Sequence, residues 1–248
     1  MGWILSLLLP AFSFFALGRR LLGWLFLAAY SVAAVVFIAT LGYPAASFAF
    51  GTLIFVHATS LVLLQGLWLH DSGFRNRLIL ALLTLFAVWG LVYFPLTTFA
   101  ERHWVMPLRM GHRVMIVRCG FPSHLERGDW VAHRILGDRY VGEREDRVYL
   151  GTGLGIDPVL ALPGDRIQFS NQVFFVNSQP FPAAPYMPPA GDLTVPEKVW
   201  FIWPSLDITR YGVPEASVSA TMEQAAMVPQ SQIIGRPFRS WFGRRQWP

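Results

Sequence analysis

Leu162-Pro163-Gly164-Asp165-Arg166-Ile167-Gln168-Phe169-Ser170-Asn171-Gln172-Val173-Phe174-Phe175-Val176-Asn177-Ser178-Gln179-Pro180-Phe181 carries the clearest β signal in the chain. Gly164 and Asp165 read as turn-makers. Glycine reaches φ > 0 without a side-chain clash, and aspartate bonds nearby amides. Apolar runs then flank Ser170-Asn171-Gln172, which predicts two strands joined by a turn.

The segments around this hairpin have the same character. Val114–Val117 reads as a strand, and so does Trp130–Ile135 after the Gly128-Asp129 turn. Residues 139–150 are charged with tyrosine and valine interspersed, an exposed hairpin. Six prolines from Pro180 to Pro196 predict a long irregular loop. Val199–Trp203 reads as a buried strand and Ser217–Met227 as a short helix. With no βαβ alternation, the pattern favours a mostly-β barrel or folded sheet.

The preceding hundred residues differ in kind. Arg19, Arg20, Asp71, Arg75 and Arg77 are their only formal charges, and the other 30 charges lie in residues 101–248. The first part has four arginines against one aspartate, +3, and the second carries the remaining +2 of a net +5. A chain 54% hydrophobic with this asymmetry predicts a membrane α-helical domain over 1–100 and an extracytoplasmic mostly-β domain over 101–248. No basic helix or RNA-binding signature is present, so nucleic acid is not an expected partner.

Four apolar stretches fall at about 2–17, 21–41, 45–69 and 78–99. The last three are long enough to cross about 30 Å of hydrocarbon. The first is short and contains Pro10; a span, a re-entrant or interfacial segment and a cleaved signal peptide are its alternatives. Placing Arg19-Arg20 and the Arg75/Arg77 pair in the cytoplasm puts residues 101–248 outside, in a bacterial inner-membrane arrangement. His57 lies within the third stretch, where a neutral histidine bonded to a neighbouring helix is the plainer reading and an intramembrane functional group the other. Trp3, Trp24, Trp68, Trp89 and Tyr93 are candidate interface or packing aromatics.

Four segments occur together in order: Arg127-Gly128-Asp129, Leu162–Ile167, Val176–Phe181 and Ile234-Gly235-Arg236-Pro237-Phe238. In this combination residues 105–243 resemble the signal peptidase I family, the membrane Ser/Lys peptidases that trim exported proteins. The alanine in Ala161-Leu162-Pro163-Gly164-Asp165 is similar to that of the conjugative-transfer branch. The resemblance implies a signal-peptidase-type outer domain. It also implies that the catalytic Ser and Lys are missing. Cys119, in Cys119-Gly120-Phe121-Pro122-Ser123, takes the serine position, and Asp157 takes the lysine position. Pro204-Ser205-Leu206 replaces the supporting Gly-Asp-Asn segment after Val195-Pro196-Glu197. The chain's one lysine is Lys198.

A serine hydroxyl needs a base, and an ionised Asp157 is a weak one. A cysteine is less demanding, because part of it is thiolate at neutral pH. Cys119 with His133 as base is therefore the enzymatic reading, with His124 as alternative base and Ser123 as alternative nucleophile. Against it stands Cys119 as a small half-buried packing residue. Two functions follow: a degenerate member that binds an extended peptide or partner protein, or an active endopeptidase acting on exported precursors. A purely structural membrane subunit is a third. No cofactor or metal is expected. The tail from Arg236, with Arg239, Arg244, Arg245, Phe238, Trp241, Phe242 and Trp247, suits a membrane surface and anionic lipid; an exposed tail is the alternative.

Overall fold

The computed structural model describes residues 9–66, 73–135, 139–141, 148–150, 152–205 and 215–246. The chain divides into two compact units, Met1–Ile116 with Ser240–Pro248, and Val117–Arg239.

In the first unit a five-residue helix α1 (Phe12–Ala16) precedes α2 (Arg20–Ala39), α3 (Pro44–Gly66) and α4 (Phe74–Val88). A π-helical turn, Trp89–Tyr93, joins α4 to α5 (Phe94–His103). Three helices are long and apolar enough to cross a membrane: α2, α3 and the continuous Phe74–His103. They match the last three apolar stretches. Of the first stretch the described part is α1 and its flanks; residues 2–8, with Trp3, lie outside the described residues, as does Trp68.

α3 is the central helix. Within its most apolar window 44% of residues are buried, against 11% for α2 and 17% for the third span. The buried positions of α2 are Gly23 and Ala33, small residues that allow close helix approach. The π turn has a local cause. Pro95 has no N–H, and in a regular helix its ring would press on the carbonyl four residues earlier, at Leu91. Widening the ladder over Trp89–Tyr93 relieves this. Tyr93 is buried, and its Oη lies 3.2 Å from His57 Nδ1 and 3.1 Å from Tyr30 Oη. His57 is thus bonded to a neighbouring helix. Trp24 and Trp89 face outward.

After α5 come β1 (Val105–Met110) and, beside it, β2 (Arg113–Cys119). The C-terminal hairpin, β14 (Ser240–Trp241) with β15 (Arg244–Arg245), also belongs to this unit. Trp241 Nε1 donates to Ile38 O at 2.9 Å, and Arg244 Nη2 donates to Ala39 O. Arg244 also stacks 4.7 Å over the Tyr43 ring. The tail is therefore docked on the end of α2 rather than loose in solvent. The reason is that the last carbonyls of a helix lack intrahelical donors and favour a cation.

In the second unit the sheet runs β2–β13–β3–β6, with β3 Trp130–Ile135, β6 Gly153–Pro158 and β13 Ile233–Pro237. Neighbours are antiparallel. A short pair, β4 (Arg139–Val141) and β5 (Val148–Leu150), forms the expected hairpin; residues 142–147 lie outside the described residues. A second sheet runs β10–β7–β8–β9. β7 (Arg166–Ser170) and β8 (Val173–Val176) are the hairpin read from sequence, turning at Asn171-Gln172. β8 then turns to β9 (Gln179–Pro182) through Asn177 and Ser178, both at positive φ, as a tight hairpin turn requires.

One expectation is corrected. The stretch from Pro180 to Pro196 is not wholly irregular: β10 (Ala190–Thr194) pairs with β7 from Ala190↔Ser170 to Thr194↔Arg166. This segment contains no proline, so no N–H facing β7 is missing from the ladder, and it lies at an edge. β11 (Val199–Phe201) pairs with β12 (Met227–Pro229), and α6 (Glu215–Ala226) precedes β12. Ile167, Phe174, Val176, Phe201, Val218 and Met222 form the main core between the second sheet and α6. The C-terminal half is mostly β with one helix among its described residues, as expected.

Candidate functional site

The four sequence segments converge on two aspartates. Asp165 accepts from Arg127 Nη2 at 2.7 Å and Nε at 3.0 Å, from the Leu162 N–H at 2.7 Å, and from Asn177 Nδ2 at 2.7 Å. Asn177 Oδ1 in turn accepts the Arg166 N–H. Burial alone would raise the Asp165 pKa. The bonds from Arg127, Leu162 and Asn177 outweigh it and hold the carboxylate below its usual range. Asp129 pairs with Arg236 and accepts the Glu126 N–H at 2.8 Å. Gly128 and Gly164 sit at φ +85° and +86°, where a side chain would strain the turn. Asp129, Asp165 and Gly164 are thus builders of the framework, as their turn-forming chemistry implies.

Cys119 ends β2 and is half-buried. It lies opposite Gly235 of β13, where an added Cβ would fall 1.9 Å from Arg118 O, so a side chain there would force the strands apart. Gly120 follows at φ +116° and donates to Ile234 O at 2.8 Å, turning the chain away from the sheet. Cys119 then lines an open cavity of about 410 Å³ with Ser123, His124, Arg118, Arg236 and Phe121. His124 is exposed, 3.4 Å from Glu126 Oε1.

His133 and Asp157 are in a different place. His133 lies on β3, fully buried, with Nε2 3.1 Å from Asp157 Oδ2 on β6. The other oxygen of Asp157 accepts the Ser205 N–H at 3.0 Å. In the strand register His133 is opposite Gly155. A Cβ at Gly155 would come within 2.9 Å of both Asp157 Oδ2 and His133 Nε2, so only glycine leaves room for the pair. His133 Nδ1 is buried without a hydrogen-bond partner among the described residues.

The structure therefore groups Cys119 with Ser123 and His124, and His133 with Asp157 and Ser205. Strand β13 separates β2 from β3, which places Cys119 and His133 roughly 10 Å apart along the sheet at ordinary strand spacing. His133 and Asp157 do not line the Cys119 cavity. Sequence reading had not linked Ser205 or Gly155 to this cluster. Ser205 bonds through its backbone N–H, which carries no side-chain signal in the sequence. Among the described residues no group of three His, Cys, Asp or Glu is arranged to hold a metal. No known family model and no curated protein matches this chain.

Proposed function

We propose that residues 101–248 are a catalytically degenerate, signal-peptidase-like domain that binds an extended peptide or partner strand outside the membrane. One observation carries this reading. Asp157, at the position the resemblance assigns to the general base, is buried and bonded to His133 and to the Ser205 N–H. Asp157 is buried in the sheet and does not line the Cys119 cavity, so its oxygens face no nucleophile that could hand it a proton. The two altered elements, Asp157 and Pro204-Ser205-Leu206, contact each other, so the changes form one packed unit.

The binding surface is the solvent-facing start of β6 at Gly153-Leu154, since Gly155 to Asp157 are buried. Among the described residues its only strand partner is β3. An extended peptide can add a strand there through main-chain bonds. Leu154 is exposed on that strand and offers an apolar contact. In this reading the three apolar helices hold the protein in a bacterial-type inner membrane, and the docked C-terminal hairpin lies at headgroup depth near anionic lipid.

The second reading, an endopeptidase using Cys119, draws on the cavity that Cys119 shares with His124. Two measurements separate the readings. A photo-reactive group at Leu154 in the full-length protein is expected to capture an extended exported-precursor peptide without cleaving it. Cleavage lost in Cys119→Ala would establish the enzyme instead, and neither capture nor cleavage would remove both.

A further inference from the structure

The membrane unit contains a second cavity, of about 600 Å³, which the proposed function does not use. Its walls come from three places: the end of α2, the start of α3, and the last turns of α5 with β1. Because the turn at residues 40–43 makes α2 and α3 antiparallel, these segments share one end of the helical layer. If the helices span, that end lies at headgroup depth. The volume is within the roughly 300–1,000 Å³ of small-molecule sites.

The chemistry of the lining is mixed in a specific way. Phe37, Phe48 and Phe50 provide an apolar wall, and Phe48 is 79% exposed. Glu101 and Arg109 put one carboxylate and one guanidinium on the same lining. A purely anionic headgroup would meet Arg109 favourably and Glu101 unfavourably. A headgroup with both charges is complementary in sign to both. Guanidinium also presents a donor fork suited to phosphate, and carboxylate accepts from a primary ammonium. Tyr43, on the same lining, is held by Arg244, so this wall is fixed by the docked tail.

We propose that this cavity binds an amine-bearing zwitterionic phospholipid, with its phosphate on Arg109, its ammonium near Glu101 and its upper acyl segment along Phe37, Phe48 and Phe50. The test uses the full-length protein, delipidated in detergent. Ethanolamine, choline and glycerol phospholipids are returned at equal concentration, and retention is read by native mass spectrometry. The ethanolamine lipid is expected to be held over the glycerol lipid by on the order of tenfold, the scale of one charge-assisted hydrogen bond. Glu101→Gln should erase that preference while lipid is still retained, and Arg109→Gln should lose both lipids. Equal retention of all three by the wild type overturns the proposal. A diazirine-bearing ethanolamine lipid should label the peptide containing Phe48 and Phe50, which decides the matter if a variant does not fold; labelling elsewhere overturns it. Full competition by chain-free glycerophosphoethanolamine would also overturn it, since the ligand would then be a soluble headgroup. So would a protein helix found cross-linked in the cavity.

Discussion

His133 Nε2 and Asp157 Oδ2 lie 3.1 Å apart on adjacent strands, both side chains shut off from solvent. The pair is structural in its setting: Ser205 closes one side, Gly155 leaves the space, and β13 stands between it and Cys119. Asp157→Ala is expected to destabilise the domain by about 2–4 kcal/mol, because it leaves His133 and the Ser205 N–H buried without a partner. Chemical denaturation followed by tryptophan fluorescence measures it. A loss below about 0.5 kcal/mol, the size of an ordinary surface change, would refute the packing role.

Placing at this position the lysine that the resemblance expects should not produce a peptidase. Asp157→Lys would set a cation against buried His133, and the expected result is a protein weakened by about 3 kcal/mol or more and no cleavage of exported precursors. Precursor cleavage by this variant, measured on gels, would show that the site is poised for catalysis.

Gly155→Ala tests the space directly. The new Cβ would sit 2.9 Å from both polar atoms of the pair. Because the neighbours are a histidine ring and a carboxylate that are both buried, the expected cost is about 1–3 kcal/mol. Thermal unfolding of the alanine variant is the measurement. An unchanged transition would mean the pair relaxes freely.

Asp165 gives an acid dependence of known sign. Its carboxylate is held below the ordinary value of 3.8 by Arg127, the Leu162 N–H and Asn177, despite burial. A group with a depressed folded pKa contributes stability above its unfolded value and loses it as pH falls through the folded value. Stability should therefore fall from about pH 4 downward. Asp165→Asn should be weaker at neutral pH, by about 1–3 kcal/mol, with a flatter acid limb. Urea midpoints between pH 2 and 7 decide this; parallel acid limbs would rule out Asp165 as the source.

Cys119 should behave as an ordinary thiol. Iodoacetamide is expected to label it at the same rate in the wild type and in His124→Ala. A labelling rate that falls severalfold in His124→Ala would revive the cysteine peptidase.

Much of the architecture was legible because it rests on local rules. Apolar runs of membrane length need no partner to be recognised, so α2, α3 and the third span followed from composition. The β7–β8 hairpin followed from apolar runs and turn residues, and Gly164 from the φ its turn imposes. β10 was hidden because flanking prolines dominate its neighbourhood, and its ladder depends on an edge that only β7 supplies. The π turn at Trp89–Tyr93 does not follow from Pro95 alone, since a helix can answer a proline in several ways.

The site shows the same division more sharply. The sequence determined which residues stand where the resemblance expects catalysts: Cys119, Asp157 and the segment containing Ser205. It also marked His133 and His124 as the candidate bases. Tertiary structure alone decided their grouping. His133 meets Asp157 across 24 residues, Asp157 meets Ser205 across 48, and Arg127 meets Asp165 across 38. Such bonds depend on strand order and register, and on which side of a strand each residue faces. Those are properties of the folded sheet, because backbone donors such as the Ser205 N–H are the same in every residue but proline and acquire a partner only where the fold places one.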